Sequence, residues 1–112
     1  IAFLTRQEET KFEKYIPVGC RFARWCDNGV DIISEQGGKV EGIKYFCNLY
    51  GIDQNEIMSF GDAENDIDML KAAEVGVAMG NGVDCVKEIA DYVTSDVDDD
   101  GIGKALRYFH VI

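Results

Sequence analysis

The chain has 112 residues, 46% of them hydrophobic, a size and composition that suit one core. A net charge of −10 argues against the basic face of a nucleic-acid binder, and no apolar run approaches the roughly 18 residues of a membrane span. Four scattered cysteines without a C-x-x-C pair, and a single histidine, argue against zinc sites and a disulfide framework, so reduced thiols in a cytoplasmic protein are expected.

The opening residues, IAFLTRQEETK, lack a basic segment followed by a long apolar one, so no signal peptide is read there. The start at Ile1 rather than Met points to a piece of a longer protein. Thr5 to Ile16 is polar, with Phe12, Tyr15 and Ile16 at helical spacing, which predicts a short amphipathic helix ended by Pro17-Val18-Gly19. The runs CRFARWC and VDIIS flank Asp27-Asn28-Gly29, and Asn-Gly between two β-prone runs predicts a hairpin over Cys20 to Ser34. Gly37-Gly38 break the chain before Lys39. From Val40 the period changes: Ile43, Phe46, Cys47 and Tyr50 form the stripe of a helix expected to pack on a sheet, with Gly51 as its stop.

Asp53 and Glu56 have the spacing of a capping box, and Ile57 to Phe60 reads as a buried strand. A helix over Glu64 to Ala73 turns Ile67 and Leu70 inward, and Val75 to Met79 is the next strand. Gly80-Asn81-Gly82 leads into a helix carrying Val86, Ile89 and Ala90. Tyr92 to Thr94 is a third short strand and Ile102 to Phe109 the last helix. Strand–helix alternation predicts parallel strands with crossover helices, hence an α/β fold with a β-hairpin at the front.

The stretch MSFGDAENDIDML, residues 58 to 70, carries the chemistry. A strand delivers Asp62 to its carboxyl end, where open α/β sheets place ligands. Asn65 and Asp66 follow at the mouth of the next helix, so two carboxylates and an amide converge. Hard oxygen ligands with open positions suit Mg²⁺ holding a substrate phosphate. Helix caps and a solvated acidic first turn, complementing the helix dipole, account for the same residues without a metal. Spacing alone leaves both readings open.

The sequence GDAENDIDMLKAAEVGVAMGNGVDCVKEIADYVTSDVDDDGIGKAL resembles the fourth motif and C-terminus of the Cof-type phosphatases of the haloacid dehalogenase superfamily. Their pattern is G-D-x-x-N-D-x-x-M-L, an apolar strand ending near M-G-N, then A-D-x-V-T and D-G-[VI]. Each piece occurs in order over residues 57 to 106. Upstream, Gly38-Lys39-Val40-Glu41-Gly42-Ile43 is similar to the family's lysine loop, although Val40-Glu41 separates a Lys and a Gly that many members have adjacent.

The resemblance implies a partial Rossmann-like parallel sheet with flanking helices. Residues 37–112 are then the C-terminal half of a phosphatase core. Residues 1–36, the helix and hairpin, are the last part of a cap domain, with Phe22 and Trp25 in its core. The implied activity is hydrolysis of a small phosphorylated metabolite, sugar-phosphate-like, through an aspartyl-phosphate. Asp62 would hold Mg²⁺ with Asp66 in support, Asn65 would orient substrate, and Lys39 would neutralise the phosphoryl group. The family's nucleophile motif, D-x-D-G-[TV], and its phosphate-binding Ser or Thr are expected before Ile1, so the chain by itself is expected to be inactive. Strand 57–60, expected to lie beside the nucleophile's strand, would be left as an undefended edge. A homodimer through it is the expected partner besides the phosphorylated substrate.

Similar-looking signals fail on inspection. Asp98-Asp99-Asp100-Gly101-Ile102 spells D-x-D-G-I, but no apolar strand runs into it. As an EF-hand loop the same run fails because Arg107 stands where a bidentate Glu belongs. A capped loop before the last helix is the better account. GVAMGNG makes no G-x-G-x-x-G, and His110 is expected at the surface near a helix end. Two alternative functions share part of the signal. The phosphorylation domain of a P-type cation-transporting ATPase also carries G-D-x-x-N-D but usually continues N-D-A-P-A-L, unlike Asn65-Asp66-Ile67-Asp68-Met69-Leu70. A non-catalytic assembly module is the other.

Overall fold

In the computed structural model, which describes residues 1–112, an antiparallel hairpin and a three-stranded parallel sheet face each other across a cleft. The N-terminal side begins with α1 (Arg6–Phe12), whose start is closed by a Thr5–Glu8 capping box, and a short 3₁₀ turn at Glu13–Tyr15 extends it. The hairpin pairs β1 (Cys20–Cys26) with β2 (Gly29–Ser34), from Cys20↔Ser34 to Cys26↔Gly29, with a register shift between Arg24 and Cys26.

The hairpin forms where Asn-Gly predicts it, but for a different local reason. Neither Asn28 nor Gly29 has the positive φ of a tight Asn-Gly turn. Gly29 is needed because a Cβ there would come within 2.6 Å of Trp25 Cζ2. Trp25 sits in the irregular step and is 37% exposed, so its expected place in a core is corrected: the extra residue shifts it off the inward alternation. The buried centre of this half is instead Val30 with Arg24. The Arg24 guanidinium is fully used: it pairs with the Glu9 carboxylate and donates to the carbonyls of Leu4 (3.0 Å), Cys26 (2.9 Å) and Asp27 (2.8 Å). A charge is tolerated inside only when so many partners surround it.

The helix α2 (Lys39–Tyr50) starts one residue earlier than its periodicity predicts and stops at Gly51, which is left-handed at φ 67°. Its stripe is a second correction. Ile43 and Cys47 are half-buried, whereas Phe46 and Tyr50 are exposed and stack on each other with centroids 6.2 Å apart. The helix lies against α3 along a narrow strip, and nothing in these residues covers the rest of its apolar face.

The parallel sheet runs in the order β3 (Met58–Gly61), β4 (Val75–Ala78), β5 (Tyr92–Val93), with Met58↔Val75 and Val77↔Tyr92 in register. The connections carry α3 (Ile67–Ala72), preceded by a 3₁₀ turn at Glu64–Asp66, and α4 (Asp84–Lys87); α5 (Gly101–Tyr108) follows β5. Leu70, Ala78 and Val86 form a core cluster, flanked by Ile67, Ile89 and Ala90; α4 ends at Lys87, so Ile89 and Ala90 reach the core from the turn after it and not from the expected helix. β3 is an edge strand. No helix is long and apolar enough to cross a membrane.

Candidate active site

The site grows from the end of β3. A Cβ on Gly61 would lie 2.5 Å from the Asp66 Cβ, so only glycine lets the Asp66 side chain fold back over the strand end. Asp66 is 4% exposed. Its Oδ2 accepts the backbone N–H groups of Asp62 (3.0 Å) and Ala63 (3.2 Å), and its Oδ1 is ion-paired with Lys39 Nζ. Burial pushes the Asp66 carboxyl up, but the Lys39 ammonium and the two amides outweigh it and hold the group below its ordinary value.

The Asp62 backbone is held from the other side. Its carbonyl accepts the Val83 N–H at 2.9 Å, and the Gly61 carbonyl accepts the Met79 N–H at 2.9 Å. A Cβ on Gly82 would be 3.1 Å from Asp62 Cα. The carboxyl ends of β3 and β4 are thereby locked together. The Asp62 side chain is exposed, with no hydrogen bond and no ion pair.

Acids alternate along this turn, and their partners differ. Glu64 pairs with Arg6 of α1, Asp66 with Lys39 at the start of α2, and Asp68 with Arg21 of β1 at 3.7 Å. Three cations from three separate elements neutralise three of the four carboxylates. Asp62, which is exposed, has none.

Between the turn and the hairpin lies a cleft of about 440 Å³, lined by Arg21, Asp31, Lys39, Asn65, Asp68 and Met69 among others. Of the expected site residues, Lys39 and Asn65 line this cleft, whereas Asp62 and Asp66 are not on its wall. Lys39 contacts Asp66, Asn65 shares the cleft with Lys39, and Asp62 joins through its N–H to Asp66. Arg21, Asp31 and Asp68 were not singled out from sequence. The signal for the first two is period-two alternation: Arg21 and Ala23 on β1, and Asp31 and Ile33 on β2, face the cleft together. Asp31 Oδ1 is buried without a hydrogen-bond donor and lies 3.9 Å from the Ile1 ammonium.

The donor set fits Mg²⁺ at one corner only. Mg²⁺ requires oxygens in near-octahedral array, and of the two candidate carboxylates only Asp62 has both oxygens free. No three acidic, His or Cys side chains gather into a metal-sized group. The acidic run near the last helix is structural, as expected: Asp96 accepts the Asp98 N–H at 3.0 Å, Asp99 pairs with Lys104 at 2.6 Å, and Asp100 pairs with Arg107. His110 is exposed just past α5.

Comparison with known proteins identifies the family. A family pattern described as haloacid dehalogenase-like hydrolase matches residues 2–106. The chain is 43% identical over 84 residues to the putative phosphatase YkrA of Bacillus subtilis, covering 75% of this chain and 33% of that protein. It is 42% identical over 92 residues to an uncharacterized protein of Geobacillus stearothermophilus, covering 82% of this chain and 97% of that one. Among solved structures, the subclass IIB sugar phosphatase BT4131 superposes with a TM-score of 0.92 at 43% identity, over 98% of this chain and 42% of that chain. The phosphatase BT1666 of Bacteroides thetaiotaomicron superposes at 0.89 and 39% identity, again over 98% of this chain but 41% of its own. The chain therefore spans less than half of these phosphatases.

Proposed function

This chain belongs to the haloacid dehalogenase-like hydrolases, and from that membership we propose that it supplies the metal-facing and phosphate-facing half of a Mg²⁺-dependent phosphatase. The substrate class is a small phosphorylated polyol or sugar. The observation that carries the reading is the lone carboxylate of Asp62, the one acid of the alternating turn without a cation, beside the Lys39–Asp66 pair.

Asp62 would be the ligand this chain offers to Mg²⁺, and the bound cation would offset negative charge on the phosphoryl oxygens. Asp66 acts through its neighbours: it fixes the Asp62 backbone through the Asp62 N–H and aims the Lys39 ammonium. Lys39 sits at the cleft, where its charge stabilises a transferring phosphoryl group and the carboxylate that attacks it. Asn65 offers amide donors and an acceptor on the same wall. On the facing wall Arg21 supplies donors and Asp31 a carboxylate, a mixed polar surface that suits hydroxyls on the leaving group. In this reading residues 1–36 are the end of a cap and residues 37–112 the end of the core.

The attacking aspartate of the family belongs to a D-x-D-G motif at the end of an apolar strand, whereas the D-x-D-G of this chain, Asp98–Gly101, runs from a 3₁₀ turn into α5, with Asp99 and Asp100 ion-paired to Lys104 and Arg107. A segment outside these residues supplies it. The test uses the protein carrying both segments, assayed on sugar phosphates with Mg²⁺. Asp62→Asn and Lys39→Ala should each lower turnover by about 10²-fold or more, the usual scale for removing one charge-stabilising group. Unchanged turnover in both variants would refute the assignment.

A further inference from the structure

Between the turn end of the hairpin and α4 is a gap of about 150 Å³, smaller than the cleft, and two of its lining residues are exposed cysteines from opposite walls. Cys26 ends β1, and Cys85 lies in α4. We propose that Cys26 and Cys85 form an oxidisable dithiol, which a two-electron oxidant such as hydrogen peroxide converts into a disulfide tying the hairpin to the parallel-sheet half.

Both thiols are mounted on held backbone. The buried Arg24 side chain donates to the carbonyl of Cys26 at 2.9 Å and to that of Asp27 at 2.8 Å, which fixes the end of β1. On the opposite wall the Val83 N–H is bonded to the Asp62 carbonyl two residues before Cys85. The gap between them is already spanned by one ion pair, Arg6 with Glu64, both of which line it. The other two cysteines are half-buried: Cys20 is at the opposite end of β1, and Cys47 is on α2 beside a different, apolar hollow.

The chemistry balances with peroxide as the oxidant. One thiolate attacks a peroxide oxygen, the O–O bond breaks, and sulfenic acid and water form. The second thiolate attacks the sulfenic sulfur, the S–O bond breaks, the S–S bond forms, and a second water leaves. Two thiols are oxidised by two electrons, which the peroxide takes up. Joining these positions ties the hairpin end to the segment whose Val83 N–H holds the Asp62 carbonyl.

The test is oxidation of the native chain with a few equivalents of hydrogen peroxide, followed by thiol counting and peptide mass spectrometry. The expected result is loss of two of the four thiols, a single intramolecular link between the Cys26 and Cys85 peptides, and a higher melting temperature that falls back on reduction. Cys26→Ser and Cys85→Ser, conservative changes at exposed positions, should each abolish both the link and the shift. A trivalent arsenical, which bridges only closely spaced thiols, should bind the wild type and neither variant. Links through Cys20 or Cys47, isolated sulfinic acids, chain-to-chain disulfides, or four thiols surviving treatment would each overturn the proposal. So would failure of the arsenical to discriminate.

Discussion

Asp66 carries two jobs in one side chain, and its titration shows how they combine. Its carboxylate is buried, caps two backbone amides and pairs with Lys39, and the net effect holds it below its ordinary value of 3.8. A depressed folded value means that the unfolded chain binds more protons in the window below 3.8, so stability rises with pH there. The contribution is complete above the ordinary value and is lost as pH falls through the folded one. Asp66→Asn should therefore cost about 2 kcal/mol at neutral pH, the scale for a buried charge-assisted acceptor. That cost should shrink as pH falls from 5 toward 2 (about the span of a titrating carboxylate), as read from urea midpoints at a series of pH values. A penalty independent of pH would mean that the charge contributes nothing. Asp62 differs by its freedom: Asp62→Asn should leave the urea midpoint within about 0.5 kcal/mol of wild type, as for surface changes generally.

Gly61 and β3 set the behaviour at the scale of elements. The Asp66 side chain lies where a Gly61 Cβ would go, at 2.5 Å, and the obstacle is a buried Cβ rather than a flexible tip. Gly61→Ala should cost about 2 kcal/mol by overpacking and should also loosen Lys39, whose partner is displaced. The outer edge of β3 is unpaired in this chain, and its residues, Met58 to Gly61, include no Lys, Pro or charge to deter pairing. Phe46, Leu49 and Tyr50 of α2 are exposed as well. We propose that the 112-residue chain self-associates through β3, and light scattering should show a homodimer at high concentration. A monodisperse monomer with the β3 amides protected from exchange would rule this out.

For the molecule as a whole, one free carboxylate is a poor Mg²⁺ site and a half-site is a poor catalyst. These residues alone should turn over no generic phosphate ester, and calorimetry should find Mg²⁺ binding weaker than micromolar, because Mg²⁺ dehydrates reluctantly for so few ligands. Micromolar affinity, or turnover surviving Asp62→Ala, would show that the chain holds more of the site than Asp62, Lys39 and Asn65. The two exposed ion pairs joining the halves, Arg6–Glu64 and Arg21–Asp68, are screened by water and should each contribute under about 1 kcal/mol. Breaking either should leave the fold intact.

Local chemistry was sufficient for much of this. Glu56 reaches back to accept the Asp53 N–H, the half of a capping box that their spacing predicts, and Ile67, Leu70 and Val86 face the core their helical periods point to. Lys39, Asp62, Asn65 and Asp66 were legible as a group because a strand end and a helix mouth place short-range neighbours predictably, with the family's ordered motifs supplying the distant lysine. Other features depended on what lies across space. Phe46 and Tyr50 read as buried because periodicity records which face of a helix is apolar, while burial requires a covering surface that these residues do not contain. Trp25 left the core through an irregular strand step, and Arg24 entered it because Glu9 and three carbonyls, from as far away as Leu4, meet there. The pairing of Glu64, Asp66 and Asp68 with Arg6, Lys39 and Arg21 likewise belongs to the tertiary structure. Sequence distance says nothing about which cation reaches which carboxylate, and only the folded chain shows that Asp62 is the one left unpaired.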